Sequence, residues 1–427
     1  MSTSSAQIGN TSIKHVVVVG AGMIGLTTAW YLQERGVKVT VVDRKGVAAG
    51  SSWGNAGWLT PALTLPLGEP SVLLSGPKAM LSSKSPLYIP LALDPKLIRF
   101  LLGFAWHALP RQWRKSIEIF AKVNPLAMEP FHELAAGGVT EPVKEAKPFL
   151  AGFLNDKDRK VLLHEFEVVA QSGGTVDFDL ATGDDLRRIE PTLSDAVTSG
   201  VLLRGQYFIN PPKYAESLGA AVVKRGAELR TGFEVVGIED TGSGVEVIPA
   251  SGPDGTAEPI RADAVVIATG AWLGTLARRF GVKAIVQAGR GYSFSVTPEV
   301  VPSHPIYFPT QRLACTPLGD RLRIGGMMEF RNVDAVPDAR RIRTLVDAGR
   351  PVFQGVDWEA RKEEWVGGRP VTADGHALIG ATRSPRVFVG GGHGMWGIAL
   401  GPLTGKLLAG AIVGEPEPVL KHFDPLR

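Results

Sequence analysis

A single cysteine, Cys315, stands among 427 residues, which excludes an internal disulfide and any metal cluster built on cysteine, and fits a reducing compartment. No run approaches the roughly 20 apolar residues that a membrane-spanning helix needs. An excess of one charge sign is also missing: 46 lysines and arginines against 42 acids leave +4, too little and too dispersed to argue for a nucleic-acid partner. The sequence has no basic arm interleaved with aromatics, no repeats and no low-complexity tract. The opening MSTSSAQIGNTS lacks a charged start followed by an apolar core, so a frayed start without a secretion signal is expected. The expectation is a soluble or peripherally attached cytoplasmic protein of two intimately packed domains, because this length exceeds what one hydrophobic core usually supports.

What is present is concentrated in residues 15–44, HVVVVGAGMIGLTTAWYLQERGVKVTVVDR. Four valines at 16–19 suit a parallel strand buried on both faces. Gly20, Gly22 and Gly25 follow at the GxGxxG spacing: the first for a tight turn, the second for backbone approach to a pyrophosphate, the third for close packing of helix on strand. Met23 and Ile24 open the helix, whose positive end would receive the diphosphate. Asp43, about 20 residues beyond the glycines and followed by Arg44, closes the second strand where a carboxylate accepts from ribose hydroxyls. The pattern predicts a dinucleotide-binding unit.

A second alternating unit starts near Pro212 with a helix ending at Gly226 and a short strand in AELRTG. Residues 234–239 and 245–249 read as a hairpin, 263–268 as a buried strand ending in Thr269 and Gly270, and 386–390 as another. GGGHGMWG then leads into an apolar helix near 398–413. Nucleotide-domain signals thus fall in three blocks, 13–60, 205–283 and 370–427, with a second domain inserted as 61–204 and 284–369. The fold class is α/β in the nucleotide domain and α+β overall: a discontinuous Rossmann-like domain plus an inserted mixed sheet with helices at its edge. Within the insert, 95–135 is helical in character, and 97–109, LIRFLLGFAWHAL, is nearly all apolar with Arg111, Arg114 and Lys115 behind it. It is too short to span a bilayer; it either lies in a membrane surface or packs on its own domain and lines the active site.

GxGxxG with an acid does not separate NAD from FAD. VVIATGAW at 265–272 and VGGGHGMWGIALGPLTGKLLAG at 389–410, taken with the opening fingerprint, resemble the FAD-dependent amino-acid oxidoreductases related to D-amino acid oxidase. Within that group SSWGNAGWLTP (51–61), GRGYSFSV (289–296), DRLRIGG (320–326) and GGRPVTADGHALIG (367–380) look most like bacterial D-amino acid dehydrogenases. The likeness runs from about Lys14 past residue 410. It implies FAD as cofactor, expected to be non-covalently bound here because Cys315 sits in no attachment motif and reads as a small buried hydrophobe. It also implies flavin contacts from Ser51, Asn55, Ala56 and Gly57, an adenine contact from the backbone of Val235, and flavin-facing amides at Gly392, His393, Gly394, Met395 and Gly397. A helix start there would stabilise negative charge on the reduced flavin pyrimidine. No metal ligand set is expected.

The resemblance implies oxidation of a D-amino acid to the imino acid, and then to the 2-oxo acid and ammonia, by hydride transfer from Cα to flavin N5. Such a substrate presents a carboxylate, and Arg369 in WVGGRPVTADG is the expected clamp, with Gly367 and Gly368 leaving space beside it. The competing reading pairs Arg369 with Asp374. Ala373 departs from the proline common in the family, and Arg290 from the usual lysine. Tyr292 either donates to the substrate carboxylate or packs as an amphipathic strand residue; Arg290 either serves the substrate or is exposed. His393 is assigned to flavin contact before general base. Where oxygen-using relatives commonly carry a lysine after GHG, this chain has Met395 and Trp396, which favours a quinone or another carrier as electron acceptor and, with segment 97–109, peripheral contact with the inner face of the cell membrane. A D-hydroxyproline, sarcosine or glycine oxidoreductase using oxygen has the same fold, flavin and arginine and is the nearest rival; an NAD-linked dehydrogenase and a chemically silent assembly subunit are more distant ones.

Overall fold

The computed structural model describes residues 13–71, 73, 82, 85, 87–90, 94–250 and 258–427. The expected frayed start, 1–12, lies outside the described residues. Strand β1 (His15–Val19) and strand β2 (Lys38–Asp43) flank helix α1 (Met23–Glu34) as the valine run and glycine spacing predict. β1 is central in a six-stranded sheet ordered 228–231, 38–43, 15–19, 264–267, 387–391, 378–381. The first five strands are parallel and the last, Leu378–Ala381, is antiparallel at the edge. Val16, Val17 and Val18 have no exposed surface, which is why this strand reads as unbroken apolar rather than alternating.

Two glycines set the opening turn. Gly20 has φ +115, and a methyl built on it would stand 2.5 Å from the carbonyl oxygen of Ala268 on the neighbouring strand. A methyl on Gly25 would stand 1.8 Å from the carbonyl oxygen of Gly20, so α1 reaches β1 only because position 25 has no side chain. The far side of α1 is covered by the last helix, Gly401–Ile412, where Gly405 lies against Thr27 and the Thr27 hydroxyl donates to the Gly401 carbonyl at 3.1 Å. Buried on both sides, α1 has no solvent face over its first three turns.

The hairpin expected at 234–249 forms as Val235–Asp240 against Val245–Pro249, joined by a third strand, Ile260–Ala262. A larger sheet runs in the order 362–372, 286–296, 322–330, 313–317, 306–308, 149–153, 199–203, 178–182, mixed because 306–308 pairs parallel with 149–153. Its helices are not confined to the edge. Helix Ala339–Gly349 packs Ile342, Leu345 and Val346 onto one face, among Tyr292, Phe294, Leu313, Cys315 and Ile324. The opposite face receives segment 51–57: the Ser293 hydroxyl donates to the Gly54 carbonyl at 2.6 Å and the Thr316 hydroxyl to that of Ala56 at 2.7 Å.

Helix Pro95–His107 is capped by Asp94, whose carboxylate accepts from the Lys96 amide. Leu97, Phe100 and Phe104 are buried against Met328, Phe330 and Val371, so this helix does pack on its own domain. Its other face is taken up below. No helix among the described residues is long and apolar enough to cross a membrane.

Candidate active site

A deep cavity opens at the carboxyl ends of the parallel strands, where Val19, Asp43, Thr269 and Gly391 meet. Its floor is the start of α1, with Gly20, Gly22, Met23 and Ile24 lining it. The helix has Gly22 as N-cap and no side-chain cap bond, so its first turn presents backbone amides and the positive end of the helix dipole to the cavity. Ser52, which sequence reasoning missed, accepts from the Met23 amide at 3.1 Å and lines the same floor.

Asp43 ties the turn together. Its Oδ2 accepts from the Ala21 amide at 2.9 Å, and its Oδ1 from the amides of Lys45 and Gly46 at 2.8 and 2.9 Å. Oδ2 retains a lone pair for a ribose hydroxyl. Arg44 closes this end, its guanidinium 4.0 Å from the centre of the Trp272 ring and 4.0 Å from Glu234, next to Val235. Trp272 ends the VVIATGAW motif but was not singled out as a site residue, since its place depends on Arg44 arriving from another strand.

At the other end, Ser51, Asn55, His393, Gly394, Met395 and Gly397 line the wall, together with Arg369. Strand 362–372 is tied to the glycine turn by a bridge between Val371 and His393 and by the Gly394 amide donating to the Pro370 carbonyl at 2.8 Å. The following helix starts at Gly401, later than expected, so the wall here is made by the turns around Gly394 and Gly397 rather than by a helix terminus. Trp396 turns away, its indole donating to the Leu65 carbonyl at 2.6 Å.

These features fit FAD. A helix start with glycine as its N-cap suits a diphosphate, and two buried polar atoms on the wall, Thr269 Oγ1 and His393 Nδ1, have no hydrogen-bond partner among the described residues. Asp43 and Val235 would hold the adenosine, Gly22 to Ile24 the diphosphate, and the His393–Gly397 turn with Asn55 the flavin ring. Cys315 is fully buried in the core of the larger sheet and burial pushes its thiol up, away from attachment chemistry.

Arg369 lines the same end of the cavity as His393 and Gly394. Its NH1 donates to the Met327 carbonyl at 2.6 Å and lies 4.0 Å from the Met328 sulfur, with no carboxylate paired to it among the described residues. Burial lowers it to about 10, which leaves it charged at neutral pH. The competing reading fails, because Asp374 pairs with Arg427 at 2.7 and 3.1 Å. The guanidinium lies over Gly291 on the neighbouring strand, where a methyl would stand 2.4 Å from Cζ, and the room for a ligand expected beside it at Gly367 and Gly368 is not open. The gaps at Gly367 and Gly368 are filled instead by the Trp365 ring and by Val333 and Ala271.

Several expected contacts are not brought to the cavity. Tyr292 faces the side covered by helix 339–349, and its hydroxyl donates to Glu329 at 2.7 Å. Burial and that bond push the phenol up to about 12. Strand alternation separates it from Arg369: the neighbouring Ser293 faces segment 51–57, so Tyr292 faces away. Arg290 follows Tyr292 to that side, 1% exposed and 3.5 Å from Glu329, neither serving the cavity nor lying on the surface. Ala56 and Gly57 are turned into the fold, Ala56 by its bond to Thr316 and Gly57 by packing on Ile209 and Pro211. Gly392 packs on Thr372 and Leu378, and Gly25 under the turn, so both shape the cavity without lining it.

His393 donates or accepts at Nε2 with Thr404 Oγ1, 2.8 Å away, and His376 likewise with Ser116 at 2.9 Å. Burial lowers both to about 4 from 6.5, so both are neutral at pH 7 and His393 is a weak proton acceptor, poorly suited to act as a general base. A depressed folded-state value means that the unfolded chain binds the proton more readily. Stability is therefore whole above pH 6.5 and falls as the pH drops from 6.5 toward 4, by about 1.4 kcal/mol per unit per histidine. Melting curves across that window are expected to show a falling Tm, with a shallower slope in His376→Gln; an unchanged slope in the variant refutes the assignment.

Comparison with known proteins agrees with this geometry. The family model described as DAO, FAD dependent oxidoreductase, matches residues 15–411. A D-amino acid dehydrogenase of Cereibacter sphaeroides is 29% identical over 408 residues, covering 94% of this chain and 92% of that one. Among solved structures, glycine oxidase from Geobacillus kaustophilus superposes with TM-score 0.71 at 23% identity, over 98% of this chain and 99% of that one. Iminodiacetate oxidase from Chelativorans sp. BNC1 does so with TM-score 0.68 at 21% identity, over 96% and 98%.

Proposed function

The chain belongs to the DAO family of FAD dependent oxidoreductases, and from that premise we propose that it oxidises a D-amino acid to the imino acid and passes the electrons to a quinone or another carrier. The imino acid then hydrolyses to the 2-oxo acid and ammonia. The observation that carries this reading is Arg369: a half-buried guanidinium beside the flavin end of the cavity, held by one carbonyl and lacking a carboxylate partner among the described residues. It is matched to a ligand that brings its own carboxylate. The bound flavin supplies the two-electron acceptor for the hydride leaving Cα.

The protein's part is positional and electrostatic. Arg369 fixes the substrate carboxylate, and the bonds from Gly394 and His393 to strand 362–372 hold the anchor at a constant distance from the cofactor turn. The substrate ammonium loses its proton to solvent, so no side-chain base is required. The D configuration follows the likeness to D-amino acid dehydrogenases.

The carrier follows from the charges at the turn. The cations lining the described cavity are Arg44 and Lys45 at the adenosine end and Arg369 at the substrate end. Arg369 is committed to substrate, and Met395 and Trp396 offer no further charge to assist oxygen reduction. A quinone acceptor places the reaction at a membrane surface, on its cytoplasmic side.

An anaerobic flavin-bleaching screen with D- and L-amino acids, D-hydroxyproline, sarcosine and glycine tests the substrate. D-amino acids are expected to bleach the chromophore, and bleaching by glycine or sarcosine alone would move the assignment to the secondary-amine enzymes. With the bleaching substrate, dye reduction is expected to outpace oxygen uptake. Rapid peroxide formation overturns the carrier reading.

A further inference from the structure

Helix Pro95–His107 buries one stripe and leaves the other uncovered. Ile98, Leu102 and Trp106, spaced by four residues and so aligned on one face, are 46, 69 and 58% exposed, and Leu109 just beyond is 39% exposed. Scattered exposed apolar residues need no explanation, but three large ones in line on one helix face, with a fourth just past its end, do.

The charges around this line have one sign. Lys96 and Arg99 lie on the helix and Arg111, Arg114 and Lys115 at the start of the next one, Pro110–Val123, and all five are exposed. From residue 95 to 117 the sequence contains no aspartate or glutamate; Asp94 and Glu118 bracket the stretch. Among the described residues none of the five cations has an ion pair. We propose that this helix docks the protein on an anionic lipid bilayer, with Ile98, Leu102 and Trp106 entering the acyl boundary and the five cations meeting the headgroups. An apolar stripe carrying tryptophan and leucine, rimmed by lysine and arginine, has the chemistry of an interfacial helix, and the missing acids remove the repulsion an anionic surface would otherwise exert.

The buried stripe gives the docking its purpose, which rests on the proposed carrier. Phe100 and Phe104 pack on Met328 and Val371, and these flank Arg369, Met328 by direct contact and Val371 two residues along its strand. A bilayer under this helix is therefore close to the substrate end of the cavity, where a lipid-soluble acceptor would have to arrive.

Co-sedimentation of the FAD-loaded protein with vesicles tests the inference without turnover. Binding is expected to vesicles of equal parts phosphatidylcholine and phosphatidylglycerol, to fall at least about tenfold on phosphatidylcholine alone, and to weaken with salt. Leu102→Glu with Trp106→Glu should abolish it. Arg111→Glu with Lys115→Glu, changes confined to exposed side chains, should reduce it at least about tenfold while dye-linked activity in solution and flavin content stay unchanged. Absence of wild-type binding, or equal binding by the charge-reversed variant, overturns the proposal. So does a concentration-dependent dimer that the Leu102 and Trp106 changes dissociate, since a second copy would then cover the stripe. Vesicle binding without quinone reduction would leave this surface standing and remove the carrier reading alone.

Discussion

Replacing Arg369 with leucine is expected to raise KM for amino-acid substrates roughly 10- to 150-fold, which corresponds to the loss of about 1.5–3 kcal/mol of charge-assisted hydrogen bonding. FAD content should be unchanged, because the guanidinium is bonded to the Met327 carbonyl and Asp374 has its own partner in Arg427. Arg369→Lys should recover little: an ammonium is a point donor and cannot offer two parallel bonds to a carboxylate. The comparison substrate is the amine of the same shape without its carboxylate, which wild-type and variant should handle alike. An unchanged KM for the carboxylate substrate removes Arg369 from the site.

Gly25→Ala is expected to destroy the flavoprotein, with a loss on the order of 3 kcal/mol or more, little soluble yellow protein and a lower Tm. The added methyl would stand 1.8 Å from the Gly20 carbonyl oxygen and 3.0 Å from its carbon, both backbone atoms that no rotamer change can move. Relief requires α1 to retreat from β1, and α1 is held from behind by the last helix through Gly401 and Gly405. The retreat would also pull Gly22 and Met23 out of the cavity floor. Gly274→Ala is the control, since a methyl there meets nothing within 4 Å and it should leave Tm and flavin content near wild type. A stable, fully loaded Gly25→Ala protein would refute the close-packing account of this turn.

The two sites differ in how much of them the sequence shows. The nucleotide unit is legible because its determinants are local: a valine run buried on both faces, a turn needing φ +115 at Gly20, and an acid a fixed distance further on. Arg369 could be chosen from its motif, but its surroundings could not. Gly367 and Gly368 adjoin it in sequence, and yet the guanidinium rests over Gly291 from another strand. Ser52 and Trp272 were missed for the same reason, each acting on a residue far away along the chain. Segment 97–109 offered two readings, packing or a membrane face, and the helix proves to have a buried stripe as well as an exposed one.

By itself the sequence determined the strand, glycine turn and helix that make the dinucleotide cradle, the return of strands to that cradle from three separate stretches, and the presence of an arginine near its end. Only the tertiary structure decided which side of the larger sheet each strand residue faces, putting Tyr292 and Arg290 behind the sheet with Glu329 and Arg369 in front. The reason is the range of the interactions. Turn geometry and burial periodicity act over a few residues, whereas facing depends on the register between strands 286–296, 322–330 and 362–372, with its irregularity between Arg290 and Tyr292, and a shift of one residue there would exchange the two faces.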